Sequence, residues 1–267
     1  ANYDGFCFDR KASTHVFAPW SVLNFLAAPQ NGFEKYWIGS GGVSTWLAQW
    51  ISQHGMIDAK RFARPVDIDV DQLNVASTPS EIAPEVLLFL TGYLSIVDSC
   101  LPTLTLGYPN REVASAMAKL YFNQFVDNKP VALSGIIKVL RGNDVKALVE
   151  NLNSVFLKIP YDKYPVQDES AVRGIVLSYV MGAGLAVNAE EHNALGRSDL
   201  ETTVGDTHWV FEFKYVEQDA EVKQALATAI EQIREKHYGE ATFVKERIRL
   251  GMVYSAGSRQ IVAWQEA

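Results

Sequence analysis

Asp199, Glu212 and Lys214 are the residues of this chain best placed by type and spacing to do chemistry. Asp199 closes the segment Gly196-Arg197-Ser198-Asp199, and Glu212-Phe213-Lys214 follows one short strand later. If the intervening residues fold as a hairpin, Asp199 lies beside Glu212 across a strand pair. Lys214 then projects two residues further along the same face, because strand side chains alternate with period 2. Two carboxylates beside an ammonium can hold a divalent cation and orient the water it activates. That is the equipment for metal-assisted hydrolysis of a phosphodiester.

The elements that must position these groups are legible in the residues around them. Trp209 to Val216 is rich in aromatic and β-branched residues, with Phe211, Phe213 and Tyr215 on one face and Val210, Glu212 and Lys214 on the other. Arg197 to Val204 reads as the partner strand, and Gly205-Asp206 suits a two-residue hairpin loop. Charges within an apolar strand are costly unless paired or bound to metal. The same Glu-x-Lys triplet also describes the wet face of an ordinary antiparallel strand.

Upstream, Val172, Val176, Tyr179 and Val180 recur at helical spacing over Asp168–Met181, with Glu169 at the inner edge of that stripe. Glu169 is either a third inward carboxylate or a first-turn acid favoured by the helix dipole. Downstream, Val222, Leu226, Ala229, Ile230 and Ile233 mark a helix over about Asp219–Tyr238, stopped by Gly239. Strands are expected over Leu185–His192, Arg247–Tyr254 and Gln260–Trp264. The order is helix, three strands, helix, two strands.

This run resembles the PD-(D/E)XK nuclease superfamily, and more narrowly the bacterial and archaeal proteins in which such a nuclease follows an AAA-ATPase-like region. The residues that carry the resemblance are Glu169, Glu190 before the Gly196–Asp199 turn, Glu212-Phe213-Lys214, and Gln232-Ile233 with Tyr238. It covers about Tyr161–Ala267. Ser198-Asp199 stands where the superfamily name has Pro-Asp, a departure that the narrower family tolerates. The implied fold is α/β: a mostly helical N-terminal region (residues 1–160) followed by a restriction-endonuclease-like α-β-β-β-α-β core with a mixed central sheet (residues 161–267).

The resemblance implies a Mg²⁺- or Mn²⁺-dependent deoxyribonuclease. Asp199 and Glu212, with the Phe213 carbonyl, would bind the cation, and Glu169 would hold a coordinating water or a second ion. Lys214 would position or deprotonate the attacking water, or neutralise the phosphate. For DNA contact the candidates are Arg197, Gln232, Tyr238 and the alternating Lys245, Arg247 and Arg249. Each has a plainer reading: Arg197 braces a carboxylate, Gln232 and Tyr238 cap or border their helix, and the basic alternation keeps an edge strand soluble. The alternative to catalysis is a nucleic-acid-binding or assembly module that keeps the fold and serves an ATPase.

Composition restricts the partners further. At 48% hydrophobic and 21% charged residues, the chain is ordinary for a folded protein. Its net charge of −7 excludes a general polyanion binder, so affinity for DNA must come from a local basic surface or from metal. Cys7 and Cys100 are isolated, no membrane-length apolar run appears, and a cytoplasmic protein is expected. A homo-oligomer remains open. The abrupt opening at Asn2-Tyr3-Asp4-Gly5-Phe6 is expected of the interior of a larger protein. Ala18–Asn24, Tyr36-Trp37, Gly92–Leu94 and Pro109–Val113 resemble the later part of the family's ATPase-like region. Gly39–Gly42 lacks the Gly-Lys-Ser/Thr of a phosphate-binding loop, so no ATP binding is expected. Asp67, Asp69 and Asp71 imitate an EF-hand loop, but Gln72 and Thr78 occupy its required Gly and Glu.

Residues 13–160 carry helical spacing over Ser21–Ala28, Val43–Ser52, Glu81–Leu90, Arg111–Val126 and Asn143–Val155. Tyr161–Gln167, bracketed by prolines, is the candidate linker.

Overall fold

A computed structural model describes residues 3–34, 36–37, 47, 65–74, 82–189, 198–238 and 244–267. Contacts divide the chain into two compact units, Ala1–Leu120 and Tyr121–Ala267. Apart from Leu47, the Val43–Ser52 helix lies outside the described residues, as do Gly39–Gly42, Glu81, Glu190 and Arg197.

The first unit holds helices α1 (Pro19–Ala27), α2 (Pro84–Leu90) and most of α3 (Arg111–Phe125). Pro84 opens α2, where its fixed φ suits the first turn. Beside these helices stands a small sheet that the helical spacing of this stretch did not announce. Strands β1 (Val66–Asp69), β2 (Ser95–Cys100) and β3 (Thr103–Gly107) form an antiparallel sheet in the order β1-β3-β2. Leu104 and Leu106 are fully buried while the flanking threonines are not, which is the two-residue period of a half-buried strand compressed into five residues. Asp67 and Asp69 belong to β1, and the Asp67 carboxylate accepts from Thr105 Oγ1 at 2.7 Å across the sheet. They are strand residues with cross-strand partners.

The second unit begins at Tyr121, forty residues before the proline-bracketed linker. Helices α4 (Ser134–Arg141) and α5 (Val145–Phe156) therefore stand with the sheet that follows. On α5, Asn153 Nδ2 donates to the Ile261 carbonyl at 3.0 Å and Asn153 Oδ1 accepts from the Ile261 N–H at 2.7 Å. A side-chain amide thus serves the backbone of an edge strand beside its irregular pairing, where a free edge would invite aggregation.

Then come α6 (Glu169–Gly182), β4 (Val187–Ala189), β5 (Leu200–Val204), β6 (Thr207–Val216), α7 (Val222–Glu235), β7 (Glu246–Ser255) and β8 (Gln260–Glu266). The five strands form one mixed sheet in sequential order, with β6 and β7 parallel and every other pair antiparallel. Gly205 supplies the positive φ (63°) of the β5–β6 loop, the pattern of a type II′ hairpin. Asp168 caps α6, its carboxylate accepting from the Ala171 N–H at 2.6 Å. Beyond the four stripe residues, Ile175 and Leu177 are also buried, so α6 is enclosed along its middle rather than on one face.

Helix α7 crosses between the parallel strands β6 and β7 and lies on the sheet through Ala229, Ile230 and Ile233. Its close approach depends on Gly251. A Cβ there would meet Ile230 Cδ1 at 2.9 Å and Ala229 Cβ at 3.1 Å. Gly251→Ala is expected to lower stability by about 1–2 kcal/mol through overpacking. A melting temperature unchanged or raised would contradict this account of how α7 is seated.

Candidate active site

The β5–β6 register pairs Leu200 with Phe211. One step further sets Asp199 opposite Glu212. On the other side of β6, Glu212 pairs with Gly251, and both face the side of the sheet that α7 covers. Val210, two residues from Glu212, packs there with Ile230, Ile233 and Tyr238.

The four expected chemical groups come together as a charged chain in which Glu212 feels the charges of Asp199, Lys214 and Glu169. Lys214 Nζ donates to Glu212 Oε1 at 3.0 Å and to Glu169 Oε2 at 3.4 Å. Asp199 Oδ2 accepts from the Phe213 backbone N–H at 2.8 Å, where β5 has not yet begun to supply a ladder partner. The second Asp199 oxygen, Oδ1, accepts from Arg173 Nη1. Arg173 is the residue that the sequence reading missed. It stands one helical turn after Glu169 in the otherwise apolar and small run Ala171–Val176.

Burial makes these charges strong. Asp199 and Glu212 are 7% and 4% exposed. Burial, then the nearby Asp199 charge, pushes the Glu212 carboxyl up to about 7, against the pull of Lys214. Lys214 is itself raised: burial works against its ammonium, but the attraction of Glu212, Glu169 and Asp199 outweighs it. Lys214 is therefore charged throughout the neutral range and donates hydrogen bonds rather than taking a proton.

Glu212 Oε2 is buried and has no hydrogen-bond partner, an acceptor of the kind that a hard cation or its water shell satisfies. Among the described residues no three His, Cys, Asp or Glu side chains converge as a metal-holding group. Glu169 is correspondingly half-exposed and turned to Lys214, rather than completing a three-acid pocket with Asp199 and Glu212. Two carboxylates remain, which suffices for Mg²⁺, an ion that keeps most of its waters.

The residues expected at DNA are placed less favourably. Tyr238 is 5% exposed inside the apolar cluster under α7, so its ring is a core element rather than a surface for a base or phosphate. Gln232 is half-buried on α7, with its Oε1 enclosed and without a hydrogen-bond partner. Lys245 precedes β7 and pairs with Asp206 of the hairpin loop at 2.7 Å, both side chains solvated. Arg247 and Arg249 do share the sheet face of Glu212, opposite His208 and Val210, but both are half-buried there instead of forming an open stripe. Beside them His208 bridges Glu201 Oε2 at 3.0 Å and Thr203 Oγ1 at 2.8 Å, a buried polar network internal to the hairpin.

Among the described residues no helix is long and apolar enough to cross a membrane. The sequence is 25% identical over 281 residues to an uncharacterised protein of the vnfD 5′ region of Azotobacter chroococcum mcd 1, covering 98% of this chain and 51% of that protein. The chain thus spans about half the length of this curated relative. Residues 167–264, which carry α6, α7, nearly all of the five-stranded sheet and every group of the charged chain just described, match the model of the PD-(D/E)XK nuclease superfamily.

Proposed function

We propose that the Tyr121–Ala267 unit is a divalent-metal-dependent nuclease that hydrolyses DNA phosphodiesters. The observation that carries this reading is the buried, unsatisfied Glu212 Oε2 next to Asp199, with Lys214 held on the other Glu212 oxygen. Asp199 and Glu212 would hold Mg²⁺ or Mn²⁺, with the Phe213 carbonyl as a further hard donor. Such an ion, when bound, acidifies a coordinated water and carries part of the phosphoryl charge.

The chain's own residues do the rest. Lys214, charged and steadied by Glu169, donates to the attacking water or to a non-bridging phosphate oxygen. Glu212, poised near 7, is ionised in the upper neutral range, where it is available to a cation. Arg247 and Arg249, half-buried on the same sheet face, would add positive charge behind the site without an open stripe for the polyanion. Residues before Tyr121 would serve the nuclease as part of an ATPase-like region, without binding ATP themselves.

Incubating the protein with plasmid DNA and Mn²⁺ tests the reading. Cleavage is expected, stopping with EDTA and with Asp199→Asn. Cleavage that persists in either condition, or Mn²⁺ binding that ignores Asp199→Asn, rejects it. A folded protein that neither binds Mn²⁺ nor cuts would be the assembly module instead.

A further inference from the structure

Asp199 is the carboxylate most firmly held in the site, and one of its two partners is itself a cation. The Phe213 N–H fixes Oδ2 at 2.8 Å, and Arg173 Nη1 sits on Oδ1. Both charged side chains are largely enclosed, at 13% and 10% exposure. The planar guanidinium is a cation whose N–H fork matches a carboxylate. A divalent ion brought to Asp199 meets a fixed like charge across a poorly screened distance.

Helix α6 delivers Arg173 and Glu169 from the same face, one turn apart. Glu169 steadies the cation that belongs in the site, Lys214, while Arg173 holds the anion that the metal needs. One helix therefore controls both signs of charge.

We propose that Arg173 is a positioning residue that competes with the divalent cation for Asp199 and so sets the site's metal affinity. It keeps Asp199 aligned with the Phe213 amide, and it must yield or share Oδ1 when metal enters. The inference rests on the metal-dependent reading given above and adds to it a brake on loading.

Mn²⁺ titration by calorimetry, with thermal melting to confirm folding, tests it on the whole chain. Arg173→Gln removes the charge and keeps a hydrogen-bond donor, so Mn²⁺ should bind at least about tenfold more tightly than to the wild type, a change of roughly 1.4 kcal/mol. Arg173→Lys keeps the charge and should stay within about threefold of the wild type, which provides a readout if the Gln variant does not fold. Asp199→Asn should abolish the gain when combined with Arg173→Gln. Wild-type binding with equal or weaker binding in Arg173→Gln overturns the role of Arg173 alone. Absence of Mn²⁺ binding in both proteins overturns the metal reading with it.

Discussion

Replacing Lys214 by alanine is expected to slow DNA hydrolysis at saturating Mn²⁺ by on the order of 10²–10³-fold, the usual cost of deleting one preorganised charge at a reacting phosphate or oxyanion. Lys214 is 12% exposed and contacts Glu212 and Glu169, so no solvent cation can take its place. The substitution has a second, independent signature. Lys214 pulls the Glu212 pKa down against burial and Asp199, so its loss should move Glu212 further up. The pH at which Mn²⁺ binding reaches half its plateau should rise in Lys214→Ala relative to the wild type. Undiminished cleavage would remove Lys214 from the mechanism. Reduced cleavage with an unmoved pH midpoint would leave its role at the phosphate and sever its link to Glu212.

How much of this was readable before the fold depends on the range of each interaction. The order of helices and strands from Glu169 onward is written in local periodicity, and the two-residue loop at Gly205-Asp206 fixes a register that brings Asp199 to Glu212. Lys214 follows from Glu212 by alternation alone. Arg173 does not: its partner is 26 residues away and beyond β4, and nothing local distinguishes a helix cation that meets a buried acid from one that snorkels to water. Tyr238 errs in the other direction. It is an aromatic just beyond a helix end, and whether it packs inward depends on Val210, an element apart. The sheet of the first unit was missed because its strands are four to six residues long, too short for alternation to stand out against the helical spacing around them.

The raised pKa of Glu212 leads to an expected result in which stability and function move in opposite directions. In the unfolded chain the carboxyl titrates near its ordinary 4.5, and in the folded chain near 7. Between those values the folded protein retains a proton that the unfolded one has lost, so stability must fall as pH rises through this window and level off above it. The full penalty is about 3 kcal/mol at most. Part of it is inseparable from Lys214, which loses a partner when Glu212 is neutralised. Glu212→Gln keeps the shape and removes the titration. Without metal it should match the wild type near pH 4 and exceed it at pH 8 by about 1–2 kcal/mol, readable in paired urea melts at the two values. With Mn²⁺ at pH 8 the order should reverse. The wild type gains stability in proportion to the logarithm of metal concentration over its dissociation constant, and Glu212→Gln, lacking the anionic ligand, does not. A variant less stable than the wild type at pH 8 without metal would mean that Glu212 is a structural charge satisfied by Lys214. Equal Mn²⁺ stabilisation of both proteins would place the cation elsewhere. The crossing of the two curves is expected only if one buried carboxylate is kept at a cost to the fold because a cation needs it.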